Sequence, residues 1–296
     1  MDKIETIRRF IRVAELGSFT RAADSLGLPK ASVSNGVRQL EDHLGTRLFM
    51  RSTRRVTLTQ DGHHMLIRGR AILAEIDALD EHFRPDPANV QGRLRVDMTT
   101  QFARHVLIPR LPEFLARYPG ITLELSSIDQ PVDVIREGFD CVIRSGELVD
   151  SSLVARPLTR QLCRNYVSAS YIARKGKPQT LGDLRQHDLI GYTTTLGVRD
   201  PGFEYVDDAG ATQLIPMPIV VTVNGTVAYL EACRAGLGIA QIPETGICRH
   251  VLKDELIEVL PAYRATPLPM HVVYASREYQ PRRLLVFIDW LREIVA

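Results

Sequence analysis

Polar side chains with the chemistry of nucleic-acid readers recur at helical spacing just after residue 29. Hydroxyls, amides and cations are the groups that hydrogen-bond to base edges and phosphates. The six side chains are those of Lys30, Ser32, Ser34, Asn35, Arg38 and Gln39. The other side of the segment is apolar, with residues four, three and four apart at Val33, Val37, Leu40 and Leu44. The segment is therefore predicted to be a helix that buries its apolar side and exposes its polar side.

A shorter helix is predicted immediately before it. Ser18 can accept hydrogen bonds from the free amides of a helix start, and Gly27 suits the left-handed residue that ends a helix. Pro29 is tolerated near the start of the next helix. Two short helices joined by a tight turn, the second polar on its outer side, form a helix-turn-helix. Ser18, Thr20 and Arg21, at the start of the first helix, are further candidate DNA contacts.

A basic segment with β-branched residues follows the second helix. We interpret it as a basic wing whose cations bind the DNA backbone beside the groove. The β-branched residues are Thr53, Val56 and Thr57, and the cations are Arg47, Arg51, Arg54 and Arg55. The candidate DNA contacts in the wing are Arg51, Ser52, Arg54 and Arg55.

The distribution of charge separates this head from the rest of the chain. Residues 1–60 contain 11 Lys and Arg against 6 Asp and Glu, a net charge of +5. The other 236 residues contain 26 and 29, a net charge of −3. Solvated helices in an ordinary bundle are the alternative interpretation of the polar face. A basic head on a mildly acidic body instead favours a nucleic-acid-binding module joined to a second domain.

The head also carries a long pattern of fixed spacing. The pattern runs from Ala23 and Leu26 through Val33-Ser34, Leu40-Glu41 and Leu44-Gly45 to Leu48-Phe49 and Arg51, followed by Leu58-Thr59 and Gly62. On this pattern the whole chain resembles the LysR-type transcriptional regulators of bacteria. Two positions depart from the usual residues of that family. Asn35-Gly36 stands where many members have Arg-Gln, and Pro29 stands where a serine usually opens the second helix.

The resemblance implies an α/β protein with an N-terminal winged helix-turn-helix, a linker helix and a two-lobed effector domain akin to periplasmic solute-binding proteins. The implied boundaries are 1–58, 59–88 and 89–296, with lobe one at about 91–161 and 268–296 and lobe two at about 162–267. The implied partners are a double-stranded DNA operator, a small-molecule effector and further copies of the chain. The copies would form a dimer through the linker and a tetramer through contacts between bodies. RNA polymerase is a further candidate partner.

The linker segment has the apolar spacing of a coiled coil. Thr59 is placed to cap a long helix, and Asp61 in its first turn is favourable to the helix dipole. Intervals of four and three residues then separate Met65, Gly69, Ile72, Ile76, Leu79 and Phe83. One interpretation is a coil that pairs two DNA-reading heads, and the other is a single helix that packs on its own domain. Pro85 and Pro87 are predicted to end the helix and form a hinge.

Strand and helix patterns alternate in the body. Short buried strands are predicted at 94–98, 121–125, 141–143, 219–223 and 239–242, and helices at 102–118, 132–137, 227–235 and 284–294. This alternation predicts parallel-sheet α/β units. Segments 162–166 and 265–275 are predicted to cross between the two halves, so that the last helix packs on the first half.

Polar residues fall where the predicted strands end. Ligands of open α/β sheets bind beyond the carboxyl ends of the strands, where free amides of helix starts favour an anion. The candidate effector contacts are Thr99, Thr100, Gln101, Ser126, Ser127, Arg144, Ser145, Asn224 and Thr226. The resemblance to LysR-type regulators places effector contacts after the first strand, at 99–102, and so adds Phe102. They predict a polar cleft for an anionic or aromatic effector. The alternatives are that the hydroxyls are only helix caps, and that Arg144 pairs with Glu147 or Asp140.

Other functions are less well supported by the residues. A redox sensor of the same architecture would use the cysteines at 141, 163, 233 and 248, which have no metal-binding spacing. No hydrolase, metalloprotease or P-loop motif is present, so neither catalysis nor a cofactor is expected. No apolar run of 18 residues exists, and the first residues are polar. A reduced, cytoplasmic protein is expected.

Overall fold

The chain begins with three helices and a two-stranded wing. The computed structural model describes residues 2–51, 56–82, 90–146, 153–198, 200–244, 255–275 and 280–295. The helices are α1 (Lys3–Leu16), α2 (Phe19–Leu26) and α3 (Lys30–Leu44), and the wing strands are β1 (Phe49–Arg51) and β2 (Val56–Leu58). The two strands pair antiparallel, with Phe49 opposite Leu58.

The caps of the helix-turn-helix are confirmed. Ser18 Oγ accepts a hydrogen bond from the Arg21 amide at 3.3 Å, and Gly27 ends α2 with φ at +63°. The core of the head includes Phe10, whose ring centroid lies 5.2 Å from that of Phe49. The prediction that Leu44 is buried is wrong, because its side chain in the last turn of α3 is 45% exposed.

A long helix, α4 (Gln60–His82), connects the head to the body. Thr59 caps it as predicted, since its Oγ1 accepts from the Gly62 amide at 2.9 Å. A Cβ atom on Gly62 would lie 2.1 Å from the carbonyl oxygen of Leu48, so only glycine allows α4 to start this close to the wing. Further along, a Cβ on Gly69 would lie 3.0 Å from Cγ2 of Ile7. The helix therefore packs tightly on α1.

The predicted coil positions on α4 differ in how far they are buried. Gly69 is buried against α1, whereas Ile72 and Leu79, seven residues apart, are 42% and 59% exposed. The prediction for Phe83 lies outside the described residues, as does the predicted hinge at Pro85 and Pro87. Gly69 thus packs on the helix's own domain, whereas Ile72 and Leu79 are left exposed by the parts of the chain that the structure describes. No helix in the described ranges is long and apolar enough to cross a membrane.

The body contains twelve strands among its described residues. They are β3 (Gln91–Met98), β4 (Gly120–Ser127), β5 (Cys141–Ser145), β6 (Leu153–Gln161), β7 (Cys163–Ser168), β8 (Leu189–Tyr192), β9 (Phe203–Val206), β10 (Thr212–Ile215), β11 (Ile219–Val223), β12 (Ala240–Pro243), β13 (Leu256–Glu258) and β14 (Leu268–Ala275). The α-helices are α5 (Thr100–Phe102), α6 (Ile108–Arg117), α7 (Val134–Glu137), α8 (Ala169–Lys175), α9 (Thr226–Arg234) and α10 (Arg282–Val295). A π-helical turn, Ala103–Leu107, joins α5 to α6, and Leu181–Gln186 is a 3-10 helix.

Lobe one is built on a five-stranded sheet in the order β4-β3-β5-β14-β6. The first three strands are parallel, but β14 is antiparallel to both β5 and β6. The last helix, α10, packs on this lobe as predicted, and its Phe287 and Trp290 lie in the core against Phe114.

Lobe two combines a parallel pair with antiparallel strands. The pair β8 and β11 is parallel, whereas β12 and β13 flank β7 in antiparallel order and β9 pairs with β10 as a hairpin. The predicted parallel units are present in both lobes, as β4-β3-β5 and as the pair β8-β11, but the antiparallel strands that complete each lobe were not predicted. The strands β7 and β14, at the two crossings between the lobes, lie antiparallel to neighbours in the lobe they enter.

Candidate DNA interface and effector cleft

The polar face of α3 is open to solvent. Lys30, Asn35, Arg38 and Gln39 are exposed. Ser32 and Ser34 are half-buried beside them. Within the described ranges, the side chains of Asn35, Arg38 and Gln39 make no hydrogen bond or ion pair, so their polar groups are available to a partner.

Gly36 is a packing position rather than a contact position. It is buried, and a Cβ atom placed there would lie 3.0 Å from Cδ of Arg9. Arg9 crosses this point of α3 and its Nη1 donates to the Ser32 carbonyl at 3.4 Å. The Arg9 side chain of α1 therefore occupies the space next to Gly36 that the usual family side chain at this position would take.

The start of α2 is partly occupied by its own hydrogen bonds. The Ser18 hydroxyl serves the helix cap, and the Arg21 guanidinium donates to the Leu16 carbonyl. Thr20 and Arg21 are nevertheless exposed. Of the three predicted contacts here, Thr20 and Arg21 therefore have accessible side chains.

The wing is attached to α3 through a buried carboxylate. The Glu41 side chain is buried, and its Oε1 accepts from the amides of Leu48 and Phe49 at 2.9 and 3.2 Å. Its Oε2 lies 3.1 Å from Nη1 of Arg47, which is otherwise exposed. The predictions for Ser52, Arg54 and Arg55 lie outside the described residues, as does the side chain of Arg51. The family pattern includes Glu41, but its anchoring role was not predicted.

A carboxylate that was not predicted joins the two lobes. Asp129, in the loop after β4, accepts from the Thr100 amide through Oδ1 at 2.9 Å. Its Oδ2 accepts from the Thr226 amide at 2.6 Å and from the Thr226 hydroxyl at 2.9 Å. The structure therefore brings the predicted Thr100 and Thr226 together, with Asp129 between the starts of α5 and α9.

Arg144 is paired, and its partner among the described residues is Asp97 rather than the predicted Asp140. Its Nη2 forms an ion pair with Asp97, which is fully buried, and donates to the Gln130 carbonyl at 3.3 Å. Asp140 instead accepts from the Arg95 amide at 2.8 Å, and Glu147 lies outside the described residues. The predicted cation of the cleft is therefore neutralised by Asp97.

A tyrosine from lobe two also lies beside these groups. Burial, together with the negative charge of Asp129, raises the pKa of Tyr192 to about 12, while the charge of Arg144 opposes this shift. Its ring centroid lies 5.3 Å from that of Tyr229. Tyr192 is the last residue of strand β8 and was not predicted as a cleft residue. Its position at the end of a strand is the feature by which it could have been identified.

The other predicted effector contacts differ in their exposure, hydrogen bonding and packing. Thr99, Ser126, Ser145 and Asn224 are half-buried at strand ends, and Ser127 is exposed. The Thr99 hydroxyl makes no cap hydrogen bond, which argues against the cap alternative there. The Gln101 amide is buried with no hydrogen-bond partner among the described residues. Phe102 packs in the core of lobe one, so its ring serves the fold.

The head contacts lobe one through a cluster of ions around Glu15. Its carboxylate lies 3.1 Å from Nη2 of Arg93 and 3.3 Å from Nη2 of Arg70. A third guanidinium, that of Arg12, lies 3.1 Å away. Burial alone would raise the pKa of Glu15, but the charges of Arg93 and Arg70 outweigh it and hold the pKa below its ordinary value. A cavity of about 520 Å³ lies beside this cluster.

The described cysteines do not support redox sensing. Cys141, Cys163 and Cys233 are free and buried. Burial raises the pKa of Cys163 to about 11 and that of Cys233 to about 12, and it also raises the pKa of Cys141. Little reactive thiolate would therefore form at neutral pH. The prediction for Cys248 lies outside the described residues.

Two domain families match consecutive parts of the chain. The family described as bacterial regulatory helix-turn-helix protein, lysR family, matches residues 4–63. The LysR substrate binding domain matches residues 87–296. The chain belongs to the LysR family of bacterial transcriptional regulators. This LysR-type regulator therefore has an N-terminal DNA-binding domain and a C-terminal effector-binding domain, and it regulates transcription rather than catalysing a reaction.

Full-length relatives agree with this assignment. The regulator is 45% identical over 295 residues to YhjC, an uncharacterized HTH-type transcriptional regulator of Escherichia coli, with 100% of this chain and 98% of the relative covered. It is 36% identical to an HTH-type transcriptional repressor of Pseudomonas aeruginosa, with 100% and 93% covered. The structure of CrgA, a LysR-type regulator from Neisseria meningitidis, is similar at 31% identity with a TM-score of 0.61, covering 99% of this chain and 98% of that one. Proteins of this family bind DNA and small-molecule effectors and form oligomers.

Proposed function

We propose that this LysR-type regulator reads its operator in the cytoplasm with the exposed face of α3. The observation that carries the proposal is the availability of Asn35, Arg38 and Gln39, whose polar groups are not used within the described parts of the chain. The proposed DNA contacts also include Thr20 and Arg21 at the start of α2. The N-terminal residues of a recognition helix reach base edges in the major groove, while flanking cations bind phosphates.

Two copies pair through α4 in this proposal. Ile72 and Leu79 are exposed and stand seven residues apart on α4, which is the spacing of a coiled-coil seam. Two linked heads on adjacent half-sites add their binding energies, which a lone winged head cannot do. Contacts between bodies would join two dimers into a tetramer, and such an assembly at a promoter could meet RNA polymerase.

The effector binds between the lobes in this proposal, near Thr100, Arg144 and Thr226. We infer an effector with an anionic group, because the starts of α5 and α9 offer backbone amides there, and Tyr192 could pack against an aromatic body. The effector must bind one arrangement of the lobes more tightly than the other, since a ligand with equal affinity for both shifts nothing. The resulting change in lobe closure alters how the dimer presents its two heads.

Replacing Arg38 with alanine tests the placement of the reading face. We expect affinity for the duplex upstream of the regulator's own gene to fall on the order of tenfold, since one base-edge or phosphate contact is lost. The salt dependence should also become less steep, because fewer counterions are released. Gel shifts over a range of salt concentrations measure both quantities.

Lys177→Ala is the matched control, because Lys177 is an exposed cation in lobe two and its loss changes the net charge equally. This control should bind as the unaltered protein does. An Arg38→Ala protein with unchanged affinity and salt dependence would show that α3 does not read DNA through this face.

A further inference from the structure

The cleft between the lobes already contains a carboxylate of the chain itself. Asp129 belongs to lobe one, and Thr226, 97 residues later, opens α9 in lobe two. Both oxygens of Asp129 are engaged, Oδ1 by the Thr100 amide and Oδ2 by the amide and hydroxyl of Thr226. Three hydrogen bonds of 2.6 to 2.9 Å thus meet on one carboxylate, and two of them cross from one lobe to the other.

The groups around this carboxylate are donors. The two amides are fixed by the backbone at the starts of α5 and α9, and Arg144 adds a guanidinium nearby that is held by Asp97. Hydrogen bonds from such donors to a carboxylate are among the strong ones in proteins. An ionised carboxylate accepts these bonds more strongly than a neutral ligand would, because its two oxygens carry the negative charge. Without Asp129, the same position would suit the carboxylate of a small molecule.

The position of Asp129 also allows its side chain to move out of the cleft. It lies in the loop between β4 and α7, outside any helix or strand, and it is only half-buried. An anionic ligand that entered while Asp129 stayed would meet its negative charge at close range, which is unfavourable. Ligand entry and departure of Asp129 are therefore coupled.

We propose that Asp129 is a built-in ligand of the cleft, which links the lobes in the effector-free regulator and is displaced by the carboxylate of the effector. This inference rests on the proposed effector function and deepens it. The effector class becomes carboxylic acids, and the apparent affinity for them is lowered by the fraction of molecules in which Asp129 occupies the position. Asp129 thus determines both which effectors bind and the effector concentration at which the regulator responds.

Chemical rescue by acetate tests the inference in the full-length protein. In Asp129→Ala, we expect Tm to fall by about 3 °C and the amide of Thr226 to exchange hydrogen faster. Acetate should restore both by filling the vacated position, at concentrations about tenfold lower than any that affect the unaltered protein. Equal concentrations of chloride or acetamide should restore neither.

Two further variants keep the test decisive. Asp129→Asn retains the volume of the side chain but offers only one acceptor atom, so the amide of Thr100 or of Thr226 should exchange faster and acetate should slow neither. Asp208→Ala removes an exposed carboxylate in a turn of lobe two and should behave as the unaltered protein.

Exchange at Thr226 that is unchanged in the alanine variant would overturn the inference. An acetate response that is equal in the alanine variant and the unaltered protein would overturn it as well. Acetate rescue in a regulator whose DNA binding responds to no metabolite would leave the Asp129 link standing and remove the proposed effector function.

Discussion

Replacing Glu15 with glutamine is expected to destabilise the regulator by about 3 kcal/mol, because it removes a buried carboxylate that pairs with several guanidiniums. Arg70 and Arg93 come from different elements, α4 and β3, and both lie within 3.3 Å of Glu15. Without the carboxylate, their charges repel one another in a largely buried junction between head and lobe one. Urea denaturation of the two proteins at neutral pH measures the difference.

The effect of Glu15→Gln should depend on pH in a defined direction. The folded-state pKa of Glu15 lies below its ordinary value of 4.5, so the junction contributes fully to stability above that value. The contribution is lost as the pH falls through the lowered folded-state pKa, since the carboxylate is then protonated in both states. The stability difference between the two proteins should therefore shrink in acid. A difference of equal size at pH 7 and at pH 3 would contradict this account.

Glu5→Gln is the matched control for this junction. Glu5 lies on the same helix, α1, and its side chain is exposed beside Arg8 at 3.7 Å. Exposed ion pairs contribute little to stability. This variant should unfold close to the unaltered protein, with little change between neutral and acid pH relative to it.

Replacing Glu41 with alanine is expected to cost a similar amount, about 3 kcal/mol, and to abolish tight DNA binding. Two buried backbone amides, those of Leu48 and Phe49, would lose their acceptor, and unsatisfied buried amides are costly. The wing strand β1 would then lose its attachment to α3. DNA affinity should fall although Glu41 itself is buried away from solvent.

Thermal unfolding and gel shifts measure the two effects of Glu41→Ala. Asp42→Ala is the control, because Asp42 is the next residue of α3 and is exposed. It should leave both stability and DNA binding close to normal. Normal binding by the Glu41 variant would mean that the wing does not depend on this carboxylate.

The sequence predicts local structure well in the reading head. The cap at Ser18, the left-handed glycine at position 27 and the cap at Thr59 all depend on neighbours within four residues. The apolar spacing of α3 likewise identifies its buried side, except at Leu44, where the helix extends beyond the core. Such features follow from helix geometry alone.

The sequence does not predict pairings between distant segments. Arg144 meets Asp97 across 47 residues, and Glu15 meets Arg93 across 78. No local pattern selects those partners over nearer carboxylates such as Asp140. The antiparallel strands β6 and β14 were missed for the same reason, because strand direction is decided by the path of the chain through both lobes.

The contacts of Asp129 in the candidate cleft were likewise not predicted from the sequence. The predicted Thr100 and Thr226 do meet near a carboxylate, but it belongs to the chain rather than to an effector. A sequence pattern identifies which donors stand at strand ends and helix starts. It does not reveal that a carboxylate from a neighbouring loop already accepts hydrogen bonds from these donors.

In the proposed function, the basic head reads a specific DNA sequence. The most direct test of this claim is competition between the duplex upstream of the regulator's own gene and a random duplex of equal length. The measurement is made near physiological ionic strength, with and without cell extract as a source of effector. We expect a preference on the order of a thousandfold or more for the upstream duplex in at least one condition. Equal affinity for the two duplexes in both conditions would contradict the account.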